Sequence, residues 1–279
     1  MKICENVYQI KIDFYVTPKI KRYVYVYLIT GKNCYLIDAG VAGSETVISR
    51  YMEELGRSIT EIKAIFLTHA HPDHMGGAAE IKRLSGCEVY ASQLEKEWIE
   101  NIETQARERP IPNFYTLVKE SVHVDHLIKE QTGYLLESGI TVKALETPGH
   151  SNGSVSYLFE EKKVLFCGDV VPVTDDFPIF VNERLSENSI QKILKLKELQ
   201  FCCPAWDRAY IGSEINEILH ERLKLLGTLK ECVRQARSQH GELSEEEMIC
   251  LIGTKMGWGN MNGNPLFRRS VMACDESGK

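Results

Sequence analysis

The stretch FLTHAHPDHMGG, beginning at Phe66, places His69, His71, Asp73 and His74 within six residues. Imidazoles and a carboxylate at this density are the parts of a metal site, and the following Gly76-Gly77 lets backbone segments approach closely. Two further residues of ligand type stand directly after apolar runs: His150 in TPGHSNGS and Asp169 in VLFCGDVVP. They are distant in the chain, 76 positions (150 − 74) and 19 positions (169 − 150) apart. Several strand ends meeting along one edge of a sheet sandwich would bring them together.

The elements needed for this are readable. IKAIFLT is short, β-branched and aromatic, and predicts a buried strand ending at the histidines. NVYQIKIDF, RYVYVYLIT and NCYLIDAG predict strands, with GK in a hairpin turn between the last two. SETVISRYMEELG has helical spacing, with Ser44 as the expected N-cap and Gly56 at the exit. GGAAEIKRLSG and the charged QLEKEWIENIETQA predict helices on either side of the strand CEVYAS. RERPIPNFYTLV (107–118) predicts a loop beside the site, with Phe114 and Tyr115 helping to enclose a substrate. Strands resume in YLLESGITVKALETPGH, GSVSYLFE and KVLFCGDVV, followed by the helix ENSIQKILKLKELQ, the strand-like FCCPAWD and one long amphipathic helix from Ser213. The division expected is 1–240 as the main domain and 241–279 as a helical extension. That extension carries an S-x-x-E start at Ser244, and with its aromatics Trp258 and Phe267 it is also expected to help enclose the substrate.

The chain has 279 residues, with 43% hydrophobic and 26% charged side chains, which is ordinary globular composition. A net charge of −6 argues against a nucleic-acid or membrane-surface binder. The amino terminus lacks a continuous apolar leader, and the run YVYVYLI is too short to span a bilayer. Nine cysteines without a C-x-x-C pair suit reduced thiols and a cytoplasmic location. Cys34, Cys87 and Cys167 lie in strand-like stretches and read as small buried hydrophobes.

H-x-H-x-D-H at His69–His74, Gly149-His150, Gly168-Asp169 and the upstream YLIDAG together resemble the metallo-β-lactamase superfamily, over roughly residues 5 to 235. The resemblance points to the branch of glyoxalase II and lactonases. It implies an α/β fold, a four-layer αββα sandwich with a short C-terminal helical extension, and two divalent metal ions along one edge. Zinc is the first choice, with iron or manganese as alternatives. His69, His71 and His150 would hold the first ion, Asp73 and His74 the second, and Asp169 both. Asp73 is also taken as a catalytic residue. Asp38 in LIDAG either orients a ligand histidine or caps the turn before Ser44.

One departure stands out. The family supplies a further histidine in a turn after the last core strand, where this chain has CCPAWDRAY. Trp206 occupies that place, and its indole nitrogen is a donor only. Either Asp207 takes the ligand role by a shift of one residue, or the second site is incomplete. His123, His126, His220 and His240 read as surface or supporting residues.

The resemblance implies a metallo-hydrolase acting on an ester, thioester or lactone of a small molecule, without nucleic acid or membrane as partner and with homo-oligomerisation left open. The other two readings are a mononuclear iron enzyme of the persulfide dioxygenase type and a non-catalytic metal- or ligand-binding protein on the same fold.

Overall fold

Long alternating strands begin the chain. In the computed structural model, which describes residues 1–173 and 176–276, β1 (Lys2–Cys4), β2 (Val7–Thr17), β3 (Ile20–Thr30) and β4 (Cys34–Ile37) pair antiparallel in sequence order. β5 (Ile62–Phe66), β6 (Glu88–Ala91) and β7 (His126–Leu127) extend the sheet, and every pairing from β4 onward is parallel. Parallel neighbours need crossovers. These are α1 (Ser44–Glu54); then α2 (Pro72–Met75) and α3 (Ala78–Ser85); then α4 (Lys96–Glu100), α5 (Ile102–Glu108) and α6 (Phe114–Leu117).

The chain divides into two compact units. The first comprises Met1–Glu146, Gly153–Gly168 and Leu199–Ala209. Its second sheet is built from β8 (Gly133–Glu137), β9 (Ile140–Glu146), β10 (Val155–Phe159), β11 (Val164–Gly168) and β12 (Phe201–Pro204). Within that sheet β8 to β11 are antiparallel, and β11–β12 is parallel.

The period of two along each strand divides the core. Val24, Val26 and Leu28 of β3 join Ile10, Ile12, Ile48 and Met52 on one face of the first sheet. Tyr27, Ile29, Tyr35, Ile37 and Phe66 face the other way and pack with Val142, Tyr157, Phe159 and Phe166 of the second sheet. The first sheet is thus buried on both faces, which is why its central strands read as unbroken apolar runs. Each large side chain withdrawn from water here contributes roughly 1.5–3 kcal/mol.

The second unit holds Thr147–Asn152, Asp169–Glu198 and the chain from Tyr210 onward. Its elements are α7 (Glu183–Leu194), β13 (Tyr210–Ile211), α8 (Ser213–His240), α9 (Glu245–Met256) and α10 (Pro265–Glu276). Ser244 and Glu247 form the expected capping box of α9. No helix among the described residues is long and apolar enough to cross a membrane.

Four local expectations change. Gly43, not Ser44, caps α1, because the Ser44 hydroxyl donates to the Ala39 carbonyl and ties the helix to the turn after β4. The charged helix breaks at Asn101, whose side chain accepts the Thr104 N–H and caps a new helix, α5. The 107–118 loop contains α6, and Phe114 is buried in the core, so of its two aromatics only Tyr115 is exposed. Phe267 is likewise a core residue, with its ring 5.4 Å from Phe177 and 6.0 Å from Trp258. Cys34, Cys87 and Cys167 are buried, as their surroundings in the sequence suggested.

Candidate metal centre

Because β4, β5 and β6 are parallel, their carboxyl ends open on one edge of the first sheet. Asp38 follows β4, Thr68 to His74 follow β5, and Glu95 lies four residues beyond β6. The histidine turn is pinned to its neighbours by backbone bonds, with Ala39 N–H donating to the His74 carbonyl at 2.7 Å. A Cβ on Gly76 would lie 2.1 Å from the Leu117 carbonyl oxygen, and one on Gly77 would lie 2.4 Å from that of Ala39. Only glycine permits this approach, so the two glycines let α3 follow directly on α2, which carries Asp73 and His74.

Asp38 is buried and organises the turn. It takes a left-handed conformation (φ 61°), which aspartate tolerates better than most residues. Its Oδ1 accepts the Thr68 N–H at 2.8 Å, and its Oδ2 faces both the Thr68 hydroxyl and His74 Nδ1 at 2.8 Å. A carboxylate only accepts, so His74 carries its proton on Nδ1 and turns the Nε2 lone pair towards Asp73 Oδ2, 3.4 Å away. Thr68 has one hydroxyl proton, committed to Asp38, so at 3.0 Å it accepts from His69 Nδ1. His69 Nε2 then lies 2.9 Å from His71 Nδ1. Two nitrogens converging this closely, beside a carboxylate and a third imidazole with a set tautomer, fit a divalent cation. Of the two roles left open for Asp38, the contacts are those of a residue that orients a histidine. Thr68 was missed in the sequence, although it precedes His69 directly.

The second unit holds a matching pair. His150 Nδ1 donates to the Ile179 carbonyl at 2.8 Å, leaving Nε2 as the lone-pair nitrogen, 3.3 Å from Asp169 Oδ2. Gly149 (φ 136°) makes the turn, and a Cβ there would lie 2.4 Å from the Ser186 backbone nitrogen. The Gly149 carbonyl accepts Val181 and Asn182 N–H groups, and the Ser189 hydroxyl donates to the Pro148 carbonyl. The start of α7 thereby holds His150 in place.

Asp207 lies in the turn after β12. Its Oδ1 accepts the Arg208 N–H at 2.7 Å, and among the described residues it belongs to no group of three ligand-type side chains. The preceding turn is anchored through Tyr27, whose hydroxyl donates to the Pro204 carbonyl, and Tyr23, whose hydroxyl donates to that of Trp206. Trp206 packs edge-on against Phe14 at 6.1 Å. His123 and His126 make ion pairs with Glu100 and Glu88 near the surface. His220 donates to the carbonyl of Asn216 on its own helix, and His240 is exposed at the end of α8.

The sequence pattern of the metallo-beta-lactamase superfamily matches residues 20–201. This chain belongs to that superfamily. It is 31% identical over 172 residues to the hydroxyacylglutathione hydrolase GloC of Haemophilus influenzae, a match covering 60% of this chain and 76% of that protein. A probable metallo-hydrolase of Bacillus subtilis, YybB, is 27% identical over 222 residues, covering 77% of this chain and 94% of its own. A metallo-beta-lactamase family protein of Thermus thermophilus superposes with a TM-score of 0.78 at 17% identity, covering 99% of this chain and 95% of that one. At that identity the likeness speaks for fold. The α/β metallo-β-lactamase fold followed by C-terminal helices is therefore the architecture of this superfamily member, and its His/Asp cluster suits divalent metal.

Proposed function

We propose that this superfamily member is a metal-dependent hydrolase cleaving an acyl thioester of a small molecule, with esters and lactones as neighbouring chemistries. One observation carries the reading: Asp38 and Thr68 fix the protons of His74 and His69 on Nδ1, so both rings present Nε2 beside His71 and Asp73. His69, His71, His150 and Asp169 would hold one divalent ion, and Asp73, His74 and Asp169 a second, with zinc as the first choice. Chain continuity supports that union. A Cβ on Gly168, the residue before Asp169, would lie 2.7 Å from Thr68 Oγ1, and Val155, five residues after His150, donates its N–H to the Thr68 carbonyl at 2.8 Å.

When bound, such ions supply Lewis acidity and a nucleophile from water at neutral pH. The chain's own residues would do the rest. Asp38 and the Ile179 carbonyl would hold the Nδ1 sides of His74 and His150 and keep their Nε2 atoms aimed. Asp73, with 16% of its side chain exposed, is the most accessible of the four residues in the histidine turn and would accept the proton given up by the attacking water and hand it to the leaving group. The thioester preference rests on the relative named as a hydroxyacylglutathione hydrolase.

The test is thiol release by zinc-loaded protein from S-lactoylglutathione and coenzyme A thioesters, beside an ester and lactone panel. Turnover of a thioester, lost in His71→Ala, is the expected result. Full metal loading without turnover on any substrate would overturn hydrolysis in favour of a non-catalytic binder. One bound iron with oxygen uptake on a persulfide would point to the oxygenase reading.

A further inference from the structure

Ala70, between His69 and His71, is gripped on both sides of its backbone. Its N–H donates to Glu95 Oε2 at 2.9 Å, and its carbonyl accepts the side-chain amide of Gln105. The other oxygen of Glu95 accepts the Gly153 N–H at 2.7 Å. Glu95 is 3% exposed and Gln105 is fully buried, so neither side chain is positioned for solvent. The fit is tight: a Cβ on Gly153 would lie 2.8 Å from both Glu95 Cγ and Leu94 Cβ.

We propose that Glu95 is a positioning residue for the metal ligands, with Gln105 as its counterpart on the next peptide plane. The physical argument starts from the ligand spacing. In H-x-H the two imidazoles are joined by two planar peptides, His69–Ala70 and Ala70–His71, and rotation of either plane moves a ring. A carboxylate on the N–H of the first and an amide on the carbonyl of the second restrain both planes. A buried carboxylate accepting two backbone N–H groups makes charge-assisted bonds, roughly twice as strong as neutral ones. Through its second oxygen Glu95 also fixes Gly153, three residues beyond His150 in the chain, so one side chain restrains the backbone near two ligand segments. In this role both residues act on backbone groups. Their effect is to keep the backbone prearranged before an ion arrives.

This inference rests on the metal reading, and its test separates the two. Glu95→Gln, Glu95→Ala and Gln105→Met would be measured in two ways. In metal-free protein, amide hydrogen exchange at Ala70 and Gly153 reads the clamp itself. Glu95→Ala should speed exchange at both at least about tenfold, a conservative figure for the loss of a charge-assisted bond. Glu95→Gln should release only one, since its single carbonyl oxygen can serve one N–H. Zinc affinity, from competition with a chromophoric chelator well below the unfolding temperature, should then fall on the order of 10- to 100-fold, as for loss of other residues supporting metal ligands. The visible spectrum of cobalt-loaded Glu95→Gln should shift as well, which loss of stability alone would not cause. Unchanged exchange at both amides in the folded Glu95→Gln protein, or zinc affinity within twofold of wild type, overturns the proposal. A wild-type protein that binds no zinc would overturn the metal reading instead, while the exchange data still decide the clamp.

Discussion

Replacing Asp38 with asparagine should reverse the tautomer of His74. Asparagine accepts the left-handed backbone of this position as readily as aspartate, so the change isolates hydrogen bonding from backbone strain. Three donors meet the Asp38 carboxylate: the Thr68 N–H, the Thr68 hydroxyl and His74 Nδ1. The asparagine oxygen can keep the Thr68 N–H, which brings its NH₂ group to His74 Nδ1. A donor now faces a donor, and the cheapest repair moves the histidine proton to Nε2. That is the nitrogen beside Asp73, and once protonated it cannot bind a metal. Exchanging charge-assisted for neutral bonds should cost about 2 kcal/mol of folding stability, which in a chain of this size lowers Tm by roughly 4–8 °C. Zinc affinity should fall on the order of 10- to 100-fold. Asp38→Ala should lose more stability, since alanine adds about 1–2 kcal/mol of left-handed strain. The assays are thermal unfolding of metal-free protein and chelator competition for zinc. Wild-type Tm and zinc affinity in Asp38→Asn would refute the assignment of Asp38 as the group that sets His74.

Four further outcomes are expected. Gly76→Ala should destabilise by about 1–3 kcal/mol in urea unfolding, because its Cβ would strike the Leu117 and Pro72 carbonyl oxygens at 2.1 and 2.5 Å; wild-type stability would show that this approach is not tight. Burial pushes the Glu137 carboxyl up, but the Asn33 and Lys32 N–H groups and the Tyr35 hydroxyl outweigh it and hold it below the usual range. Its stabilisation is therefore complete above the unfolded-state value near pH 4.3 and fades as pH falls below it, so the gap in urea midpoint between wild type and Glu137→Gln should narrow from pH 6 to pH 3; a constant gap would contradict this. His71→Ala should lose metal and activity together, as read by elemental analysis beside turnover. Asp207→Ala should keep its full metal content, since its carboxylate serves the Arg208 N–H; loss of one equivalent would restore Asp207 as the substitute for the absent histidine.

Residue types and their spacing marked His69, His71, Asp73, His74, His150 and Asp169 as candidate ligands, and the resemblance of their motifs to the metallo-β-lactamase superfamily pointed to the family and its fold. Such information is local or carried by a pattern: ligand chemistry resides in the side chain itself, and alternation along a strand shows which faces are buried. Interactions between distant segments are not written that way. The sequence left Asp38 between two roles, and only the parallel pairing of β4 and β5 brings it onto Thr68 and His74. For Asp207 the sequence shows only its place beside the absent histidine, whereas the direction of its turn depends on what anchors it, here Tyr23 and Tyr27 of β3. Ser44 gives up the expected cap of α1 and Asn101 takes an unexpected one at α5, because a short polar side chain bonds to whichever backbone group the fold brings within reach. Glu95 and Gln105 carry no motif at all. Their meaning comes from holding the two peptide planes that flank Ala70 across gaps of 25 and 35 residues, a coincidence in space that tertiary packing creates.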